Sequence, residues 1–115
     1  MKLTGSCHCG KVSFEVEGDL QQVVECNCSH CSRKGFLLWF VPREKFTLLQ
    51  GAEELATYKF NNHVIAHQFC KTCGSQPFAY GKDRQGAEKA MINVRCLPDV
   101  EVSSLNRIPI DGRSF

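Results

Sequence analysis

Short apolar segments separated by turn-forming residues dominate the chain. Residues 11–17 alternate strictly between polar and apolar side chains, which is the pattern of a half-buried β-strand. The apolar positions on that face are Val12, Phe14 and Val16. Residues 36–41 are apolar on both faces and are followed by Pro42, so they predict a central strand that ends at the proline.

Four further segments have the composition of strands, and helical signals are few. The segments are residues 46–49, 56–60, 64–69 and 90–95. The second and third of them flank the turn-forming pair Asn61-Asn62, which predicts a hairpin whose second strand ends at Cys70. Residues 29–33 could form one helical turn, and residues 103–106 are too short to assign. The sequence therefore predicts a mainly β fold with little helix.

Length and charge narrow the class of protein further. A chain of 115 residues has room for one hydrophobic core, so we expect a single domain over residues 1–115. The net charge of +2 comes from 14 basic and 12 acidic residues. Because a phosphate backbone selects for a concentrated basic face, no nucleic-acid partner is expected. The nearest approach to a basic cluster is Arg33-Lys34, which is typical of a solvated turn.

Neither a membrane span nor an export signal is apparent. No apolar run approaches the roughly 20 residues that cross a bilayer, so we expect no association with a membrane. Residues 1–6 lack the apolar stretch and cleavage site of a signal peptide, and we therefore expect a cytoplasmic location. In that reducing compartment, cysteines stay as thiols or bind metal instead of forming disulfides.

Eight cysteines are grouped by short spacings along the chain. They are Cys7 and Cys9, then Cys26, Cys28 and Cys31, then Cys70 and Cys73, and finally Cys96. Close pairs and triplets suit a metal ion, because one short loop can then direct several sulfurs at a single point. Cysteines two positions apart are poor disulfide partners, since a disulfide requires a particular Cα separation and torsion. The pattern therefore indicates zinc.

The two cysteine pairs that are each followed by a glycine predict a structural zinc site. Cys70-Lys71-Thr72-Cys73-Gly74 has the pattern of a zinc knuckle, in which the glycine permits a left-handed backbone. Cys7-His8-Cys9-Gly10 closes in the same way. Together the pairs supply four sulfurs, which complete a tetrahedral shell and clamp two distant segments together.

The middle group predicts a second zinc with a different role. Cys26, Cys28 and Cys31 supply three thiolates and leave the fourth position open. An open position admits water or an exogenous ligand, and this marks a catalytic or substrate-binding site. Because thiolate-bound zinc is soft, a thiol is the natural incoming ligand.

Other interpretations of these residues stay open. Cys70 and Cys73 could exchange a disulfide in a redox protein, or a single zinc could leave the remaining cysteines buried as small apolar residues. His30 or His8 could complete the second shell, although each lies between two cysteines and is more often a neighbour that lines the pocket.

Three more residues could in principle bind metal, but a structural role is the favoured interpretation of each. Cys96 is expected to be a core residue of a strand. His63 and His67 are four positions apart and share a face of a strand, so a metal role is conceivable. A satisfied surface or core histidine is the favoured interpretation of both.

The cysteine motifs together resemble the glutathione-dependent formaldehyde-activating enzyme family, which includes centromere protein V. The motifs are residues 5–12, 26–31 and 69–74, in the order and at the intervals typical of that family. The resemblance implies an Mss4-like fold with two zinc ions per chain. It also implies a structural site and a catalytic site. The structural ligands would be Cys7, Cys9, Cys70 and Cys73, and the catalytic ones Cys26, Cys28 and Cys31.

The same resemblance implies carbon–sulfur lyase chemistry. Family members combine glutathione with formaldehyde to give S-(hydroxymethyl)glutathione, so the expected partner is a small thiol or a thiol–aldehyde adduct. Arg33, Lys34 and Arg95 are candidate partners for the carboxylates of glutathione. One alternative, suggested by the centromere relative, is a non-catalytic zinc-binding interaction module. Another is a metal-buffering or redox protein.

Overall fold

The computed structural model describes residues 1–59, 65–83 and 85–111. Within these residues, ten strands form a three-stranded sheet with the order β1-β2-β5 and a seven-stranded sheet with the order β10-β3-β4-β9-β8-β7-β6. The strands are β1 (Lys2–Ser6), β2 (Ser13–Glu17), β3 (Gln22–Cys26), β4 (Leu38–Pro42), β5 (Phe46–Gln50), β6 (Leu55–Tyr58), β7 (Ala66–Cys70), β8 (Phe78–Lys82), β9 (Glu88–Asn93) and β10 (Asn106–Ile110). One short α-helix, α1 (Ser29–Lys34), follows β3. The predicted mainly β class is confirmed.

The main core lies between the two sheets. Val12, Phe14 and Val16 are each 0% exposed, which confirms the face predicted from the alternation in residues 11–17. The ring of Phe14 lies 5.6 Å from that of Phe46 in β5 and 5.9 Å from that of Phe78 in β8, measured between centroids. Aromatic contacts of this kind join the three-stranded sheet to the inner face of the seven-stranded sheet.

Strand registers define the other face of the large sheet, which we call the outer face. One cross-strand row contains Phe40 paired with Met91, Met91 with Ala79, Ala79 with His67, and His67 with Tyr58. A second apolar cluster forms on this face and includes a residue of α1. It consists of Cys31, Phe36, Leu38, Ala79 and Met91, with Cys26 and Cys28 packed against it. Helix α1 therefore covers part of the outer face.

Two sequence expectations need correction. Phe40 was expected in a strand buried on both faces, yet it is 47% exposed because the outer face is only partly covered. Cys96 lies in a 3₁₀ turn, Val94–Cys96, instead of a strand. Asn93 ends β9 because its side-chain oxygen accepts a hydrogen bond from the Arg95 amide at 3.2 Å and starts that turn. Cys96 is half-buried and packs against the main core.

Of the other predicted elements, some are present in the structure and some lie outside the described residues. Strands β6 and β7 pair antiparallel, with Leu55 opposite Cys70, as the hairpin interpretation requires. The turn at Asn61-Asn62 and the residue His63 lie outside the described residues. The predicted helical turn is present as α1, and residues 102–104 form a 3₁₀ turn.

Within the described ranges, no helix combines the length and apolar character that a membrane span requires.

Truncating Phe14 should destabilise the fold strongly, because this ring touches both sheets and no solvent. We expect Phe14→Ala to lower the free energy of unfolding by about 3–5 kcal/mol in urea titrations. Leu49→Ala in β5 is the control, since Leu49 is 53% exposed and its loss should cost no more than about 0.5 kcal/mol. Equal losses for the two variants would contradict the proposed core.

Candidate metal centres

Four cysteines from two distant parts of the chain meet at the inner face of the large sheet. Cys7 and Cys9 lie in the turn between β1 and β2. Cys70 ends β7, and Cys73 follows in the adjoining turn. The four sulfurs all lie within 4.8 Å of one another. The structure therefore brings together the residues predicted as the structural site, and we call them the four-cysteine cluster.

The sulfur spacing fits a tetrahedral metal. The Sγ atoms of Cys7 and Cys9 are 3.6 Å apart, and those of Cys9 and Cys70 are 3.7 Å apart. Four sulfurs at the roughly 2.3 Å typical of zinc would lie about 3.8 Å from one another at the corners of a tetrahedron. A disulfide needs about 2.05 Å, and all eight cysteines are free. The donor set and its spacing thus suit zinc better than a redox disulfide.

Glycine closes each of the two cysteine turns, as the sequence predicts. Gly10 has φ 83° and Gly74 has φ 82°, a left-handed conformation that costs a side-chain-bearing residue about 1–2 kcal/mol. The Gly74 amide donates to the Cys70 carbonyl at 2.8 Å, and the Gly10 amide donates to the Cys7 carbonyl at 3.2 Å. These turns return the chain so that both cysteines of a pair face the same point.

Local donors favour the thiolate form that metal binding requires. The amide of Cys9, with the hydroxyl and amide of Ser75, lowers the pKa of Cys73 to about 5. Burial raises the pKa of Cys7, but the Val12 amide, which donates to its Sγ at 3.4 Å, and the neighbouring Cys9 thiol reverse this and leave it lowered. The Lys11 amide lowers the pKa of Cys9, but burial and the other three cysteines outweigh it and raise that pKa to about 11. Local donors therefore favour the thiolate at Cys7 and Cys73, whereas a bound cation would be needed to favour it at Cys9.

The second group, which we call the three-cysteine cluster, lies where β3 passes into α1. Cys26 is the last residue of β3, Cys28 is the N-cap of α1, and Cys31 lies within the helix. Their sulfurs also lie within 4.8 Å of one another. The Cys31 amide donates to Cys28 Sγ at 3.3 Å, and the Cys28 amide donates to Cys26 Sγ at 3.5 Å. The helix start thus orients the three sulfurs.

The three-cysteine cluster is one donor short of a tetrahedral shell. Among residues 1–59, 65–83 and 85–111, no histidine or carboxylate joins its three sulfurs in a metal-binding group. His30 and His8, the alternative fourth ligands, are therefore not part of either cluster. A metal held by these three sulfurs would keep one coordination position for an external ligand, whereas a metal held by the four-cysteine cluster would not.

Burial acts against one thiolate of the three-cysteine cluster. It raises the pKa of Cys31, and the neighbouring Cys28 raises it further. For Cys28 burial also raises the pKa, but the Cys31 amide and side chain outweigh this and leave it lowered. A bound cation would offset the burial of charge at Cys31, as metal–thiolate sites do.

The His30 ring turns toward an aromatic group on the outer face. Its centroid lies 4.2 Å from that of His67 and 5.6 Å from those of both Phe36 and Tyr58. His67 is buried, in agreement with the core interpretation of this histidine. Tyr58 was not singled out from the sequence, because only the pairing of β6 with β7 brings it opposite His67.

Cys96 lies near the four-cysteine cluster without belonging to it. Burial, and then the nearby Cys7 and Cys73, raise the pKa of Cys96 to about 11. It does not take part in either group of metal-binding donors. Cys96 is therefore a suitable control residue for cysteine substitutions.

Comparison with known proteins identifies a family and a similar solved structure. A family model described as "Glutathione-dependent formaldehyde-activating enzyme" matches residues 2–107. A crystal structure of a Rhodobacter sphaeroides protein is similar to the chain, with 32% sequence identity and a TM-score of 0.81. That similarity covers 93% of this chain and 98% of the other. The resemblance carried by the cysteine motifs is thus confirmed.

Substituting Gly74 should test the geometry of the knuckle. A Cβ at Gly74 would meet no atom within 4 Å, so any cost arises from the left-handed backbone. We expect Gly74→Ala to lower the free energy of unfolding by about 1–2 kcal/mol. Gly74→Asn should cost less, since asparagine tolerates this conformation. Equal stability of wild type and Gly74→Ala in chemical denaturation would show that the turn has a different backbone.

Proposed function

Because the chain belongs to the glutathione-dependent formaldehyde-activating enzyme family, we propose that it is a zinc-dependent, carbon–sulfur lyase-like enzyme. Its substrate would be a thiol–aldehyde adduct such as S-(hydroxymethyl)glutathione. The observation that carries this proposal is the three-cysteine cluster, whose donor set is one short of a closed shell. A purely structural site would need no such gap.

The residues present fit two zinc ions in different roles. The four-cysteine cluster would hold a structural zinc, and the three-cysteine cluster would hold a second zinc that is accessible to a thiol. A zinc bound there would supply Lewis acidity, which favours the thiolate form of the substrate and polarises an aldehyde oxygen. The proposed location is the cytoplasm, where thiols remain reduced.

The reaction needs no oxidant or reductant. In the direction of synthesis, the thiol sulfur bonds to the aldehyde carbon while the carbonyl electron pair moves onto oxygen. The proton that leaves sulfur ends on that oxygen, and the lyase direction reverses each change. The protein must therefore bind the thiol, orient it and keep competing water away. It consumes none of its own cysteines.

Cations around α1 support an anionic thiol such as glutathione. Lys34 is close enough to lower the pKa of both His30 and His67, in each case after the larger effect of burial. Arg33 donates to the Ser29 carbonyl at 2.9 Å, and Arg95 donates to the Gly35 carbonyl at 3.2 Å. A guanidinium has five N–H donors, so both arginines keep donors for a carboxylate. These are the three cations that the sequence offered as candidates.

Apolar side chains pack against the three-cysteine cluster. Phe36, Leu38 and Met91 are buried and pack with Cys31 on the outer face. Such a wall limits access of water to a bound thiol and strengthens the electrostatic interactions beside it. Apolar packing beside the cluster and three cations on or next to α1 together suit a small acidic thiol.

A cobalt titration tests the proposed function. Cobalt replaces zinc and reports thiolate ligands by absorption, and subtracting the spectrum of a Cys28→Ser variant isolates the three-cysteine cluster. We expect glutathione to change this difference spectrum in a saturable way. S-methylglutathione, which has the same carboxylates and no thiol, should not change it.

The controls separate thiol binding from general effects. A Cys96→Ser variant should respond to glutathione like the wild type, because Cys96 lies outside both clusters. A difference spectrum that is unchanged by glutathione and by other small thiols would contradict the proposal. An equal response to S-methylglutathione would also contradict it, because the thiol would then not be the ligand.

A further inference from the structure

Three buried polar residues are linked to one another by hydrogen bonds. His67 is 4% exposed, Gln76 is 7% exposed and Asn93 is 9% exposed. Burying polar groups is costly unless they are hydrogen-bonded, so such a set is a specific arrangement and not a by-product of packing. Gln76 lies in the segment that joins the knuckle to β8, and His67 and Asn93 lie on the outer face of the large sheet.

Gln76 determines the hydrogen-bonding state of His67. Its Nε2 atom lies 2.9 Å from His67 Nδ1. An amide nitrogen can only donate, so Nδ1 accepts and the ring proton resides on Nε2. Burial, then the nearby His30 and Lys34, lowers the pKa of His67 to about 4, which keeps the ring neutral at pH 7. Gln76 thus selects one neutral tautomer.

Gln76 is itself held in place by Asn93. The Asn93 side-chain amide donates to the main-chain carbonyl of Gln76 at 3.0 Å. Its side-chain oxygen accepts from the Arg95 amide, and the Arg95 guanidinium reaches the Gly35 carbonyl at the end of α1. The Gly35 amide in turn donates to the Cys31 carbonyl at 2.9 Å. A continuous series of hydrogen bonds therefore joins His67 to a cysteine of the cluster.

His67 also contacts the helix that carries two of the cluster cysteines, by a shorter route through His30. Its ring lies against that of His30, with 4.2 Å between centroids and a 43° tilt between planes. Phe36 and Tyr58 enclose the same His30 ring, each at 5.6 Å. His30 lies in α1 between Cys28 and Cys31, so the orientation of its ring and that of the cysteine-bearing turn are linked.

We propose that His67, oriented by Gln76, is a positioning residue of the three-cysteine site. It holds the His30 ring and the turn that carries Cys28 and Cys31 in a single orientation toward the incoming thiol adduct. The inference rests on the proposed function in one respect, which is that the three-cysteine cluster is the site of thiol chemistry. Neither histidine needs to be a metal ligand for this role.

The chain offers a matched control for Gln76. Gln68 in β7 is also a buried glutamine, at 8% exposed, and lies on the opposite face of the sheet from His67. It accepts from the Thr57 hydroxyl at 3.2 Å and donates to the Ala66 carbonyl at 3.3 Å. Replacing either glutamine by methionine removes a buried amide of the same size. Of the two substitutions, only Gln76→Met removes the amide that hydrogen-bonds to His67 Nδ1.

The experiment compares the zinc-loaded wild type with Gln76→Met and Gln68→Met. Nitrogen-15 NMR of the imidazoles reports the tautomer, and steady-state kinetics with glutathione and formaldehyde report kcat and KM. We expect Gln76→Met to lose the single Nε2–H state of His67. Its kcat should fall about ten- to a hundredfold, as for other partners that orient a metal site, with KM changed less than about twofold. Gln68→Met should keep both the His67 tautomer and kcat.

Gln76→Glu supplies a second, nearly isosteric test if Gln76→Met fails to fold. A carboxylate can only accept, so His67 should then carry its proton on Nδ1, visible as a reversed nitrogen-15 pattern. Identical tautomers and kcat values in Gln76→Met and Gln68→Met would overturn the proposal. The proposal would also be overturned if folded Gln76→Glu showed His67 only in the Nε2–H tautomer. The NMR result does not depend on turnover, so it tests the role of Gln76 whether or not the protein is active. The proposed function is tested separately, by the glutathione titration of the cobalt-substituted wild type.

Discussion

The pairing of β7 between β6 and β8 decides which side chains reach each cysteine cluster. With this register, His67 lies opposite Ala79 and Tyr58 on the outer face, while Cys70 lies opposite Leu55 and joins the main core. Because strand side chains alternate, a slip of one residue would move His67 inward and Cys70 outward. The four-cysteine cluster would then lose a ligand, and the His30 ring would lose its neighbour.

The two clusters differ in what they connect. Cys9 and Cys70 are 61 positions apart in sequence, so a metal held by the four-cysteine cluster would close a long loop and oppose the entropy of the unfolded chain. The three-cysteine cluster takes its donors from the end of β3 and a helix of six residues. A metal there organises only a local segment. Stability should therefore depend mainly on the first cluster, and reactivity on the second.

The sequence predicts the parts of the site that short motifs encode. Cys26, Cys28 and Cys31 meet because a strand end and one helical turn suffice to gather them. The face of Val12, Phe14 and Val16 follows from strict alternation. Such features depend on neighbours in the chain, and their periodicity or spacing is visible without tertiary information.

Features that depend on packing between distant strands were not predicted. Strands β1, β3, β8 and β10 carry weak signals, and β10 even includes Pro109, which an edge strand tolerates. Gln76 has no motif that distinguishes it, since its importance comes from a hydrogen bond to His67 across two elements. Phe40 was expected to be buried because its strand is central, but cover over the outer face is incomplete.

If the two cysteine clusters hold two zinc ions with separate roles, as proposed, each zinc should be lost separately. Metal analysis with thermal unfolding of wild type, Cys28→Ser and Cys73→Ser tests this division, with Cys96→Ser as control. We expect two zinc ions in wild type and in Cys96→Ser. We expect about one zinc and a retained fold in Cys28→Ser, and a large loss of thermal stability in Cys73→Ser. Loss of all zinc and of the fold in Cys28→Ser would contradict the division into two sites.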